Sequence, residues 1–558
     1  MDKLLKILRR RVLPNLPKCS KTFLKTSTNI EVIKDINRTD DNDSEFAYIG
    51  LEKKLESLVN PNLHDFIIEI TINIDGFAPF ESSNLTIWPI LIKIFHREHE
   101  YPPFTTAVYA GKSKPKDINA YLKDFINEIN RLGSTGIMIK KKNYKLSIKF
   151  FVCDAPARSF LKAIVSQVAF DACERCEVKG KKIDSVTVFL NTKAKKRSDA
   201  SFRNFETPDH HNATSPLCEI VPPINMVNHF VLDPMHLIYI GCTKRILEFL
   251  FQYPASKCPS KFSGSIKKEM ERRTDLIIKD IPEDFPRKMR SIKDFTEYKA
   301  VEYKFFLLYA SVFIFKKLVS RELYDSILLL VSSCRMLSAE NALDYVEVAR
   351  ENLKTFVETA PAIYGNTFVS LNVHSLIHVP DDVEFTQCNL NEISAFCFES
   401  YLGLVGKYIR FPTHIVAQYC KRIDEKETYL SPLSTDKKVY QILKENNDSI
   451  LKMTYKNFIF TNSHPNNTVL LKTNSIAVID RIFKKENIIY IEVRKYSKKI
   501  NVFEKPMKSS LINMWEISQL ASNVEILQLS CIVKKLVKFN MNFTENDEMK
   551  IFAVSMLH

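Results

Sequence analysis

Asp75 closes the run Phe66-Ile-Ile-Glu-Ile-Thr-Ile-Asn-Ile-Asp-Gly-Phe77, in which Phe66, Ile68, Ile70, Ile72 and Ile74 alternate with Glu69, Thr71, Asn73 and Asp75. A period of two reads as a half-buried β-strand, and a carboxylate at the end of a core strand is held rigidly enough to be a catalytic metal ligand. A second acid, Asp154, ends the apolar run Lys145 to Cys153, and Pro156 stops that strand from continuing. Asp154 shares its phase with Leu146, Ile148, Phe150 and Val152. It therefore suits a site only if the sheet is covered on both faces or the strand has already ended; the alternative is a turn aspartate. A third acid is sought between Asn391 and Ile409, a helical pattern with Asn391 as a cap and a buried stripe of Ile393, Phe396, Cys397, Leu404, Val405 and Tyr408. Glu399 lies off that stripe with Gly403 and Gly406 on its side, small residues that leave room for a metal or a DNA backbone. Glu392 is its rival, and a solvated helix-face glutamate is the alternative to both. Clustered carboxylates suit Mg²⁺, and two such ions supply what phosphodiester cleavage needs, an activated nucleophile and charge relief at the leaving oxygen.

A different chemistry sits in Cys173-Glu-Arg-Cys176, the only Cys-x-x-Cys of the chain. Two thiolates at this spacing reach one tetrahedral Zn²⁺, which then needs two more ligands. His374-Ser-Leu-Ile-His378 is the best remote pair, its imidazoles facing one way on a helical turn. His96-x-x-His99 and His210-His211 compete with it, and a redox role competes with the metal, although no thioredoxin-like context surrounds the cysteines. Arg158 follows the second acid closely enough to contact phosphate. Lys193-Ala-Lys-Lys-Arg197, whose basic members are Lys193, Lys195, Lys196 and Arg197, reads as a nuclear localisation signal, a phosphate-contacting loop or a solvated charged loop.

These residues need a framework, and 558 residues at 45% hydrophobic content are enough for several domains with a large core. The net charge of +15 points to a polyanionic partner such as nucleic acid. Gly is scarce, at 11 residues, which argues against glycine-rich nucleotide folds. The basic start Met1 to Arg11 lacks the apolar core of a secretory signal, and the longest apolar run, Phe305 to Phe315, is too short to span a bilayer. The twelve scattered Cys form no disulfide framework. The expectation is a soluble intracellular protein.

Along the chain, residues 1–60 read as a helical region and linker, with a helix at Leu51 to Leu58 and an acidic linker at Thr39 to Ser44. Residues 61–176 carry strands, the Asp117 to Leu132 helix and the Lys145 to Cys153 strand, the signature of a mixed α/β sheet flanked by helices. Residues 177–370 begin as a polar loop and continue as helices at Met226–Tyr253, Gly264–Ile281, Thr296–Val319, Arg321–Met336 and Ala339–Ala360. Residues 371–430 hold the His pair and the third-acid helix. Residues 431–558 alternate again in short runs, which predicts a small separate β-rich domain, barrel or sandwich.

The motifs in order resemble the DDE transposases of the CACTA (En/Spm-like) group. The matching pieces are Asp75-Gly-Phe with Trp88-Pro-Ile, Asp154-Ala-Pro-Ala-Arg, Cys173-x-x-Cys176, Leu232-Asp-Pro-Met-His236 with Gly241, Lys299-Ala-Val-Glu-Tyr-Lys with Leu307-Leu-Tyr309, His374-x-x-x-His378 and Phe398-Glu-x-Tyr401. They span roughly residues 60–425. The resemblance implies an RNase H-like sheet interrupted by a large helical insertion, a layout similar to that of the V(D)J recombination-activating recombinase. It implies Asp75, Asp154 and Glu399 as the ligands of two Mg²⁺ or Mn²⁺ ions. It also implies Cys173, Cys176, His374 and His378 around one structural zinc that helps to position the third acid. DNA ends and target, a homodimer and the nucleus follow from the same likeness. Asp233 and His236 match the family's Asp-x-Met-His, either organising the insertion or contacting a flipped or hairpin DNA end. Departures are a shorter amino-terminal region, and Val301 and Lys304 where Thr and Arg are expected. A non-catalytic DNA- or chromatin-binding derivative of such an enzyme is the alternative.

Overall fold

The computed structural model describes residues 1–24, 32–34, 44–62, 65–80, 84–429, 439–446, 449–544 and 546–557. The acidic linker read at Thr39 to Ser44 lies outside them except for Ser44. The chain forms two compact units, one of residues 1–167, 196–233 and 394–437, the other of residues 168–195, 234–393 and 438–558.

The first unit is built on a mixed sheet. Its strands are β1 (Ile33–Lys34), β2 (Glu45–Tyr48), β3 (Ile67–Ile74), β4 (Thr86–Ile94), β5 (Phe104–Gly111), β6 (Ile137–Ile139) and β7 (Lys142–Cys153), with a last strand at Phe230–Leu232. The order is β1-β2-β5-β4-β3-β7 and then Phe230–Leu232, with β6 paired to β7. β2 to β5, β5 to β4 and β4 to β3 pair antiparallel, whereas β3, β7 and Phe230–Leu232 run parallel.

Sequence reasoning places Phe230–Leu232 inside a helix from Met226; the structure makes it a strand. All three residues are buried against β7, a non-local pairing that local periodicity cannot report. The end of β7 is covered on both faces, since Phe150, Phe151, Val152 and Cys153 are all buried. That removes the parity objection to Asp154. The Ile118–Thr135 helix, capped by the Asp117 side chain, seals one face through Tyr121, Leu122, Phe125, Ile126, Ile129 and Leu132. The helices Phe396–Gly406 and Ile415–Tyr429 bring Val405, Val416, Tyr419 and Ile423 against Ile87, Val108 and Ala110.

The second unit is helical and then β-rich. Helices occupy Gly264–Lys279, Ala300–Phe305, Ser311–Phe315, Arg321–Leu337 and Val346–Tyr364, with π-helical stretches at Met235–Thr243 and Phe306–Ala310. Ser263 and Ser320 cap two of them by accepting from the Ile266 and Leu323 amides. At the carboxyl end a three-stranded sheet, Tyr440–Asn446, Ser449–Tyr455 and Phe458–Thr461, precedes a seven-stranded one. The latter closes on itself because Ile476–Lys485 also pairs with Ile488–Asn501, so the barrel alternative is the one realised. Among the described residues no helix is long and apolar enough to cross a membrane.

Candidate metal centres

The four residues Cys173, Cys176, His374 and His378 meet in the second unit, all buried, with ligand atoms within 4.8 Å of one another. Cys173 Sγ lies 3.6 Å from Cys176 Sγ and 3.7 Å from His378 Nε2, and Cys176 Sγ lies 3.3 Å from His374 Nε2. Tetrahedral zinc, with bonds of about 2.3 Å to sulfur and about 2.0 Å to nitrogen, sets S–S near ~3.8 Å and S–N near ~3.5 Å. The donor set and its spacing therefore fit zinc. Burial acts to raise the Cys173 thiol, but contacts with Cys176, His374 and His378 outweigh it and hold the thiol well below its usual range. Around the cluster, His378 Nδ1 lies 3.8 Å from Asp381, which Arg350 also holds. Arg175, between the two cysteines, makes a buried ion pair with Asp382 at 2.7 Å. Outer partners of this kind orient metal-binding imidazoles.

The rival histidines are otherwise employed. His96 Nδ1 accepts from the Glu98 and His99 amides. His211 packs edge-on against Phe202 and at a tilt against Phe205, and its burial together with Arg197 and Lys162 pushes its pKa down to about 4.

In the first unit the acids come from neighbouring strand ends. The β3–β7 register pairs Ile72 with Phe151, and continuing it sets Asp75 level with Asp154. Asn73 fixes that register by donating its side-chain amide to the Val152 carbonyl at 2.7 Å. Leu232 pairs with Cys153, which sets Asp233 level with them on the third parallel strand. Ligands of open α/β sheets collect beyond such carboxyl ends. Asp75 and Asp154 are half-buried, while Asp233 is fully buried.

The Glu399 carboxylate comes within 4.8 Å of that of Asp75. Its helix is anchored by Tyr401, whose hydroxyl is 3.2 Å from Thr105 Oγ1, itself 2.8 Å from the Tyr419 hydroxyl. Asp154 does not belong to this close group: its Oδ1 caps the Ala155–Leu161 helix by accepting from Ala157 N at 2.8 Å. Gly403 faces open space, and a Cβ on Gly406 would stand 3.4 Å from the Phe77 ring. Glu392 is exposed and accepts from the Asn389 amide.

The remaining candidates divide by exposure. Arg158 is buried and donates to the Cys153 carbonyl at 2.6 Å. Lys193, Lys195 and Lys196 are exposed, Lys195 lying 3.2 Å from Glu177, whereas Arg197 is buried. His236 is half-buried in the Met235–Thr243 π-helical stretch, and Lys304 donates to Asn391 Oδ1 at 2.7 Å. The spare strand that carries Asp233 is the feature sequence reasoning missed; its one local sign was the apolar Phe-Val-Leu ahead of Asp-Pro.

A family described only as a domain of unknown function, DUF8592, matches residues 434–556, the stretch that holds the three-stranded sheet and the barrel. Among curated proteins there is no match to the chain.

Proposed function

We propose that the chain is a DDE-type DNA transposase, which cuts DNA with divalent metal and joins the freed 3′-hydroxyl to a target. The observation that carries this reading is the meeting of Asp75 and Glu399 beside the level strand ends of Asp75 and Asp154. Strand-end aspartates on adjacent parallel strands, with a helix-borne glutamate, are the ligand arrangement of an RNase H-like nuclease. Asp75, Asp154 and Glu399 would hold Mg²⁺ or Mn²⁺, and two such ions supply an activated nucleophile and charge relief at the leaving oxygen. Asp154 keeps Oδ2 for this purpose while Oδ1 caps its helix. The basic balance, +15, suits a DNA partner, and joining two ends calls for a homodimer acting in the nucleus.

The test is nicking of supercoiled plasmid with Mn²⁺. The wild-type chain is expected to nick, and Asp75→Ala, Asp154→Ala and Glu399→Ala are each expected to lose at least about 100-fold. An active Asp154→Ala variant sinks the assignment. The second reading, a DNA-binding derivative without catalysis, is favoured by the capping role of Asp154. It predicts salt-sensitive DNA binding without divalent metal and no nicking of any substrate.

A further inference from the structure

We infer that Asp233 is a positioning residue for Glu399, an inference that rests on the nuclease reading of the acid site. Asp233 is fully buried at the end of the third parallel strand, level with Asp154. Its Oδ1 accepts from the Ala395 amide at 2.9 Å and from the Ser394 hydroxyl at 3.3 Å. Ala395 is the residue from which the Phe396–Gly406 helix starts, and Glu399 stands in the first turn of that helix. The first amides of a helix have no intrahelical partner, and a negative charge beside them is favourable. Ala395, at the N-cap, supplies no side-chain cap of its own. A carboxylate more than 160 residues away in sequence does so instead. Tyr401 pins the helix to Thr105 two residues beyond Glu399. Glu399 is thus held between two long-range anchors, one on the Phe230–Leu232 strand and one on β5.

The three strand-end aspartates differ in their surroundings: Asp75 and Asp154 are half-buried, Asp154 capping its own helix, and Asp233 is fully buried and holds the start of the helix that brings the glutamate. An acceptor is needed for this role, and a metal ligand is not. Asn at 233 keeps an oxygen for Ala395 N and Ser394 Oγ, whereas Ala keeps nothing.

The experiment compares the full chain with Asp233→Asn, Asp233→Ala and Ser394→Ala. It reads hydrogen exchange of the peptide spanning 394–399 and plasmid nicking across a Mn²⁺ titration. Asp233→Ala is expected to lose more than about 10-fold in amide protection, to raise half-saturating Mn²⁺, and to nick about 100-fold more slowly. Asp233→Asn should keep the protection and stay within about 10-fold in rate. Ser394→Ala loses only the longer of the two hydrogen bonds and should show a smaller rise in half-saturating Mn²⁺. Wild-type protection in Asp233→Ala overturns the inference. So does an Asp233→Asn variant as slow as Asp233→Ala with its protection intact, since Asp233 would then itself touch metal or substrate. If the wild type does not nick, the nuclease reading fails by itself, and the exchange comparison still decides whether Asp233 holds the helix start.

Discussion

Cys173 shows how far a single residue type can be read. A Cys-x-x-Cys pair demands two further ligands, and a His-x-x-x-His turn offers two imidazoles on one side; both facts are local. Which of the three His pairs answers the cysteines is not local, because His374 is brought to Cys176 across 198 positions of chain. The acids divide the same way. Asp75 is legible from strict alternation, whereas Glu399 is preferred over its rival Glu392 in the sequence by Gly403 and Gly406 on its side, and its closeness to Asp75 is visible only in the fold. The zinc assignment makes a direct prediction. Elemental analysis should find about one zinc per chain, and Cys173→Ser and His374→Ala should each lose it, with a fall in thermal stability. Metal that is lost from Cys173→Ser but retained by His374→Ala would remove His374 from the ligand set.

At the scale of elements, the strand ends of the first unit depend on a close approach of backbone and ring. A Cβ on Gly76 would stand 2.4 Å from Trp88 Cε2, so only glycine lets the indole lie against the residue that follows Asp75. Trp88 also meets Phe160 edge to face at 5.8 Å, and Phe160 belongs to the helix that Asp154 caps. The indole therefore touches both segments that follow the two acids. Phe77 continues the arrangement by exchanging backbone hydrogen bonds with Ile87. Gly76→Ala is expected to cost about 1–3 kcal/mol in stability by overpacking and to slow nicking. Pairing it with Trp88→Leu should recover most of the stability but not the rate. A melting curve and a nicking assay on the single and double variants check this, and a Gly76→Ala chain of unchanged stability would show that the indole yields freely. The alternation of β3 and the acid-ended β7 were legible because each strand carries its own pattern. The Phe230–Leu232 strand was not, since three apolar residues beside helical sequence take their state from β7.

At the scale of the whole chain, the β-rich carboxyl end is less separate than its composition suggests. It shares a compact unit with the helical stretch 234–393, and buried arginines join the two. Arg335, buried in the Arg321–Leu337 helix, donates to the Leu308 carbonyl at 2.9 Å and to the Ile512 and Ser555 carbonyls at 3.1 and 2.9 Å. Arg273 reaches the carbonyls of Ile314 and Lys316 in the helical stretch and that of Phe543 in the β-rich part. Lys535 pairs with Asp284, and Phe313 packs on Phe539 and Phe552. A buried guanidinium is tolerable only while its carbonyl partners surround it, so removing either side strands the other. Residues 434–556 expressed alone should therefore lack a cooperative melting transition, and Arg335→Ala in the full chain should cost about 3 kcal/mol or more. Cooperative melting of the isolated fragment at the temperature of the full chain would show instead that the barrel and three-stranded sheet carry their own stability. The family match then acquires a physical meaning: residues 434–556 recur as a sequence unit, but in this chain their fold is completed by Arg335 and Arg273 from the helices that precede them.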